Sequence, residues 1–429
     1  MDIGQDSFDY PHMTVIPPKS LGPEQRDESL EFPYWRRNLK VLPLANMLTS
    51  MGFAMSFPFL PVMVRSLGVQ DHLETWVGNM MLVFYVISFL CGPVWGGIAD
   101  HYGRKVMVLR AMLGMGFFMM LVPFAPSALW FACLFALVGF FNGATMSSQT
   151  LLVANTPPAR LGGALSYLQT GSLVGQTMGP ALATVLAALV DKPHWMFWAS
   201  GTLLLIGGML VIFFVREVKQ LAAGPWRPQW IGNLRELLAI PRIGLLYLLC
   251  FVFAGLAAGS QTIVSVYIIR LLAAQPAGAG SEAFWVGAAA MGFAISSVIS
   301  LTLWGRVLDR YDPARVLVVA TCAAALTQLP LLFLQTPLQL VLTRVAFGLS
   351  ASLMLPAIIR LLKNFAPAGM DARAISYATS FQFMAMGLAP FSAGLIGPVF
   401  GLRAYFALTA GLTFLALALW LRYGRRADS

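Results

Sequence analysis

The residues whose types and spacing suit chemistry gather in one short turn of this chain, GGIADHYGRK, from Gly96 to Lys105. Asp100 lies between Gly96 and Gly103, and the basic pair Arg104 and Lys105 follows at once. A carboxylate beside two cations forms charge-assisted hydrogen bonds. Glycines at both ends let other backbone come close. That chemistry is a clasp at a charged surface, not a bond-making site. Taken alone, the turn is equally an ordinary loop rich in basic residues. A second copy raises its weight. Trp304, Gly305, Asp309 and Tyr311 repeat Trp95, Gly96, Asp100 and Tyr102, each 209 positions later, with Arg310 after the acid.

Bond-making chemistry has little to work with. His12, His72, His101 and His194 fall in the tail, in loops or at the edges of apolar runs, so no nucleophile–base or metal cluster forms inside those runs. Cys91, Cys133, Cys250 and Cys322 lie in apolar segments without metal-ligand spacing and read as small buried hydrophobes. No Gly-x-x-x-x-Gly-Lys-Ser/Thr loop occurs, which disfavours an ATP-driven pump. A membrane-embedded enzyme is therefore a weak reading, and neither a metal nor an organic cofactor is expected.

The elements that position the turn are apolar helices. The chain is 58% hydrophobic and only 11% charged, where a soluble protein carries about 25% charged residues. Its apolar runs have the length of bilayer-spanning helices. Twelve spans are expected, at about 38–65, 75–97, 105–125, 128–154, 163–190, 194–215, 243–270, 284–304, 314–334, 338–364, 373–398 and 402–422. Residues 1–35 hold seven acids against two bases and read as a disordered cytosolic tail, with no signal peptide. Tyr34-Trp35-Arg36-Arg37 marks the membrane interface. Residues 36–215 form one six-helix bundle, 216–242 a basic cytoplasmic connection, and 243–429 a second bundle with a short basic tail. Ile231 to Ile240 suits a short surface helix. Only Arg65, Lys192, Arg270 and Arg403 fall at the loops opposite the termini, while the other basic residues except Arg344 lie on the terminus side. That bias places both termini in the cytoplasm. The net charge of +10 thus faces anionic lipid and not nucleic acid.

The halves repeat. Ser166-Tyr167 is matched by Ser376-Tyr377 and Gly179-Pro180 by Ala389-Pro390, both 210 later, and Gly139 by Gly348 at 209. Parallel six-span repeats imply two bundles related by an axis along the membrane normal. Arg344, about two turns inside span ten, is the one deeply placed base. A charge there is costly, so it faces a wet cavity or a partner, or else is a structural charge bonding its neighbours. No Asp or Glu occupies the middle of any span.

These features resemble the major facilitator superfamily, across residues 36–426: two six-span halves, a Gly-x-x-x-Asp turn after the second span of each, and a long central connection. His101 replaces the usual base after the acid, and Asp312 stands where the second turn would have glycine. In span five, Gly171, Gly175, Gly179 and Pro180 resemble the antiporter motif of drug:proton exporters, with Ala183 and Thr184 in place of further glycines. The same spacing also makes a generic small-residue packing face. The resemblance implies an all-α integral membrane fold of twelve helices, pivoting about a midplane site between two pseudo-symmetric bundles. It implies that Gly96, Asp100, Gly103, Arg104 and Lys105 latch the halves on the cytoplasmic side, with Gly305, Asp309 and Arg310 as the second copy. It further implies that Asn46, Gln149, Gln169, Gln261, Tyr267, Arg344 and Gln382 lie on spans that line the pathway. Family members often carry an arginine at the span-four position that Phe135 occupies here.

The expected function is a secondary exporter of small amphipathic compounds, driven by protons and working as a monomer in the bacterial inner membrane. The absent mid-span carboxylate favours neutral, amphipathic or anionic substrates over strict organic cations. A narrow-specificity importer, or a metabolite or siderophore exporter of the same fold, stands as the alternative.

Overall fold

The computed structural model describes residues 32–157, 160–190, 193–217, 235, 237–275, 281–367 and 371–424. Residues 1–31 of the expected acidic tail, most of the central connection with half of its surface helix, and the last five residues lie outside them, while Trp35, expected in the tail, opens the first helix. Every described element is helical. Span one is Trp35–Ser66, span two Leu73–Tyr102, span three Arg104–Phe124 and span four Ala128–Ala154. Spans five and six are Leu161–Leu189 and His194–Phe214. The second half begins with span seven, Pro241–Ala273, followed by Glu282–Arg310, Pro313–Leu332 and Pro337–Phe365. Spans eleven and twelve run together as Asp371–Leu419 and part at Gly401, whose φ of 80° no helix interior allows. The expected twelve helices are therefore present.

The two halves share a frame down to single contacts. A methyl group on Gly139 would sit 2.7 Å from the Phe84 carbonyl oxygen, and one on Gly348 would sit 2.7 Å from that of Phe293. Gly348 follows Gly139, and Phe293 follows Phe84, by the same 209 positions. Span four thus lies on span two as span ten lies on span eight, with bare glycine backbone at both crossings. Both crossing helices are also interrupted at matching places. Span four breaks at Asn142-Gly143, where Gly143 takes φ 120°, and span ten breaks at Ser352-Leu353.

Within the first half, the span-five glycines fit span one rung by rung. Methyl groups on Gly171, Gly175 and Gly179 would run into the carbonyl oxygens of Pro43, Met47 and Met51. Both series advance four residues at a time, which keeps them on one helix face. Span seven departs from a regular helix at Gly255–Gly259, a wider π turn that carries the helix past span eleven.

Candidate substrate cavity and the two ends of the bundle

Spans one, two, four, five, seven, eight and eleven enclose a cavity of about 380 Å³ between the halves. Its polar groups come largely as neighbouring pairs: Thr49-Ser50 in span one, Gln176-Thr177 in span five and Gln261-Thr262 in span seven. Its apolar wall is aromatic, with Phe53, Phe57, Phe84, Tyr85, Phe293 and Phe383. Among the described residues, no charged side chain lines it. Such a lining offers hydrogen bonds and ring faces to a neutral or amphipathic guest, without a fixed charge to select its sign.

Of the pathway residues expected from sequence, Gln261 is the one in the cavity wall. Asn46 is buried between spans one and five and donates to Ser172 Oγ at 2.7 Å. Gln149 and Gln169 meet each other at 3.5 Å. Tyr267 packs its ring on Phe406, 5.5 Å between centroids. Gln382 points its amide at the Cys250 sulfur, 4.0 Å away. Arg344 is 2% exposed and stands one layer behind the wall, its guanidinium 4.6 Å from the Phe293 ring centre and 5.4 Å from that of Phe347. Thr49-Ser50, Gln176-Thr177 and Thr262 line the cavity beside Gln261 and were not among the residues expected from sequence.

The span-four break is the other feature missing from the sequence reading. It exposes carbonyls that Arg110 of span three collects, with donations to Phe140 at 3.4 Å and Asn142 at 3.3 Å. The same guanidinium lies 4.0 Å over the Trp95 ring, and Trp95 donates its indole N–H to Phe140 at 2.9 Å. Asn142 in turn donates to Ser88 Oγ at 3.2 Å. The cavity residues Asn142 to Met146 are thereby held by spans two and three.

At the end of the bundle that holds Gly103, the following contacts each stay within one half. Gly103 takes φ 103°, a conformation that only glycine adopts without strain, and starts span three. The Glu217 carboxylate, just past span six, accepts the N–H of Arg104 at 2.8 Å and that of Lys105 at 2.9 Å. Lys105 Nζ returns the favour to span six, donating to Ile212 at 3.0 Å and Val215 at 2.7 Å. An acid thus covers the positive end of one helix and a base the negative end of its neighbour. Arg104 reaches the Thr150 carbonyl at 3.5 Å. The side chains of Gly96, Asp100, Gly305, Asp309 and Arg310 lie outside the described ones. Asp312, the departure in the second turn, caps span nine itself by accepting the Ala314 N–H at 3.1 Å.

At the opposite end the contacts cross between halves. Arg65, closing span one, pairs with Glu282, opening span eight. Arg270 of span seven pairs with Glu74 of span two at 2.6 Å. Thr75 donates to the Gly394 carbonyl at 2.7 Å. Gly78 abuts Pro390, and Gly287 abuts Thr184. The halves are joined here, and the cavity lies below this seal.

The family profile of the Major Facilitator Superfamily matches residues 42–291 and 256–429. The multidrug resistance protein MdtG of Salmonella arizonae is 32% identical over 399 residues, which is 91% of this chain and 96% of that protein. MdtG of Citrobacter koseri is 32% identical over 402 residues, 92% and 97% of the two chains. Among solved structures, a bacterial homologue of the lysosomal transporter Spinster, inward-facing and unoccupied, superposes with a TM-score of 0.71 at 15% identity, covering 92% of this chain and 97% of that one. The nucleoside transporter NupG gives 0.70 at 12% identity, with 90% and 99% covered. With two six-helix halves, a cavity between them and these relatives across most of its length, the chain belongs to the Major Facilitator Superfamily.

Proposed function

We propose that this multi-pass membrane transporter is a proton-coupled exporter of small amphipathic compounds, serving multidrug efflux by alternating access. It is a transporter and not an enzyme. One observation carries the efflux reading: the central cavity is rich in aromatic rings and paired hydrogen-bonding groups but, among the described residues, has no charged lining residue. Such a site tolerates guests of varied shape. The similarity to MdtG proteins, named for multidrug resistance, supports it. The basic residues that crowd the terminus end support a bacterial inner-membrane orientation with both termini cytoplasmic. In that orientation the sealed end faces outward, the cavity opens inward, and the proposed working unit is a monomer. The Asp100 turn then acts as the cytoplasmic latch when the cavity faces outward, resting on the Glu217 cap.

Transport in proteoliposomes with an imposed pH gradient tests this. Several chemically unrelated amphipathic compounds are expected to move against the proton gradient and to compete with one another. Flux of a single tightly discriminated compound would overturn the multidrug reading in favour of a narrow carrier. Absence of gradient-dependent flux across a broad panel would overturn the proton-coupled exporter. Gln261→Leu removes the one wall amide of span seven and is expected to change the relative efflux of panel members several-fold while leaving expression unchanged.

A further inference from the structure

The break in span four separates Ala128–Phe141 from Ala144–Ala154, and Asn142, Gly143, Ala144 and Thr145 around it all line the cavity. A broken helix leaves its last carbonyls without partners, which a bilayer does not tolerate. Neighbouring spans supply the donors. Ser88 serves Gly139 at 3.0 Å, Trp95 serves Phe140, and Arg110, half-buried in span three, reaches both Phe140 and Asn142. Among the described residues, Arg110 is the one donor to the Asn142 carbonyl. The second half closes its break differently. Ser352 donates to Gly348 within span ten, Ser300 donates to Leu349 at 2.7 Å, and no described residue of span ten lines the cavity.

The break in span four also releases a hydroxyl in the wall. Thr49 and Thr177 line the cavity but donate to carbonyls of their own helices, Ala45 at 2.9 Å and Leu173 at 2.9 Å. Thr145 lines it too, yet the carbonyl four residues back belongs to Phe141, the last residue before the break. Its hydroxyl has no hydrogen-bond partner among the described residues.

We infer that Thr145 is a specificity-determining residue of the cavity, donating to an oxygen acceptor of the guest, and that Arg110 is its positioning residue. The inference rests on the substrate-cavity reading above and adds one chemical feature of the guest, a carbonyl or similar oxygen on its apolar body. A threonine hydroxyl sits on a short β-branched stem with few rotamers, so the backbone sets its direction. Gln176 and Gln261 instead end in flexible amides that turn either a donor or an acceptor to the guest. The backbone at Thr145 depends on the break, which Gly143 holds at φ 120° and Arg110 holds through the Asn142 carbonyl. Without Arg110 that carbonyl must take up water or draw the two segments into one continuous helix. Either change turns Thr145, and the second gives its hydroxyl to Phe141.

The test uses the full chain in detergent and pairs of apolar aryl ketones with analogues in which a methylene replaces the carbonyl. Affinity is read from ligand-dependent thermal stabilisation, which needs no transport. The parent is expected to bind the ketones several-fold more tightly than their analogues. Thr145→Val is expected to lose most of that preference, through weaker ketone binding alone, and Thr145→Ser to keep it. Arg110→Met is expected to lose the same preference, with Thr145→Val adding little on top of it, because effects that pass through one contact do not add. Arg110→Lys replaces a fork on two carbonyls by a single amine and is expected to keep part of it. A parent without ketone preference overturns the inference, as does a Thr145→Val protein that retains the parent's preference. Full preference in Arg110→Met overturns the positioning role. Should that variant fail to fold, full preference in Arg110→Lys overturns it instead. Absence of efflux from proteoliposomes would sink the transport reading while leaving these affinities standing.

Discussion

The two halves share one backbone frame and fill it with different chemistry. Behind the cavity wall of the first half, Phe135 packs on Phe84 with ring centroids 5.0 Å apart. At the equivalent place in the second half, Arg344 lies 4.6 Å over Phe293. The glycine crossings beside them, Gly139 on Phe84 and Gly348 on Phe293, are the same. A similar contrast separates the helices that flank the bundle. Span five has glycines at 171, 175 and 179, where span eleven has Phe381, Ala385 and Ala389. The glycines let span one touch backbone to backbone, whereas Phe381 stacks on Tyr247 of span seven at 5.1 Å. The turns differ too, since Glu217 caps span three from a distance and Asp312 caps span nine from its own residue. The two halves keep a bare backbone at the crossing of spans four and two and of spans ten and eight, where a side chain prevents close approach, but not at the flanking helices. One layer away the halves differ, the first packing Phe135 among rings and the second carrying the buried cation Arg344.

Swapping residues between halves sharpens this contrast. The largest effect is expected from Phe135→Arg, which puts a charge into a cluster that also holds Phe57 and Phe131. An uncompensated buried charge costs about 3–5 kcal/mol, so thermal melting in detergent should show a collapsed or unfolded protein. The reciprocal Arg344→Phe is expected to fold and to lose transport. Full transport by that variant would reduce Arg344 to a packing residue and erase the distinction.

Next comes Gly175→Val, whose side chain collides with the span-one backbone at Met47 and Met51. Overpacking of this kind costs roughly 1–3 kcal/mol, while the same valine at Ala385 should cost less. Equal losses of melting temperature would show that the two flanking helices are packed alike after all. The smallest effects concern the caps. Glu217→Gln weakens two charge-assisted bonds and should cost about 1–3 kcal/mol. Asp312→Ala removes one neutral-length cap and should cost about 1 kcal/mol. Transport rates measured beside stability would show whether only the Glu217 change slows the cycle, as its place beneath the Asp100 turn demands.

Much of the architecture was legible from local pattern. Apolar runs of spanning length, the recurrence at 209 or 210 positions, and the basic residues on alternate loops required no tertiary information. The span-five glycines were legible as a close-packing face, though not the helix that would fill it. The cavity wall was less legible. Asn46, Gln149, Tyr267 and Gln382 are polar and lie on the enclosing spans, or beside them, but each turns to a neighbouring helix instead. The interruption at Asn142-Gly143 escaped notice because the apolar run continues on both sides of it.

Sequence alone determined the number of spans, their order and their duplication, because the length and hydropathy of a run decide whether it enters a bilayer. Tertiary structure alone decided which polar groups meet. Glu217 reaches Arg104 across 113 positions, and Arg270 reaches Glu74 across 196. Each residue turns a helix face by about 100°, so such meetings depend on how each helix is rotated and crossed. Those rotations are set by packing among all twelve helices, not by any run of neighbours along the chain.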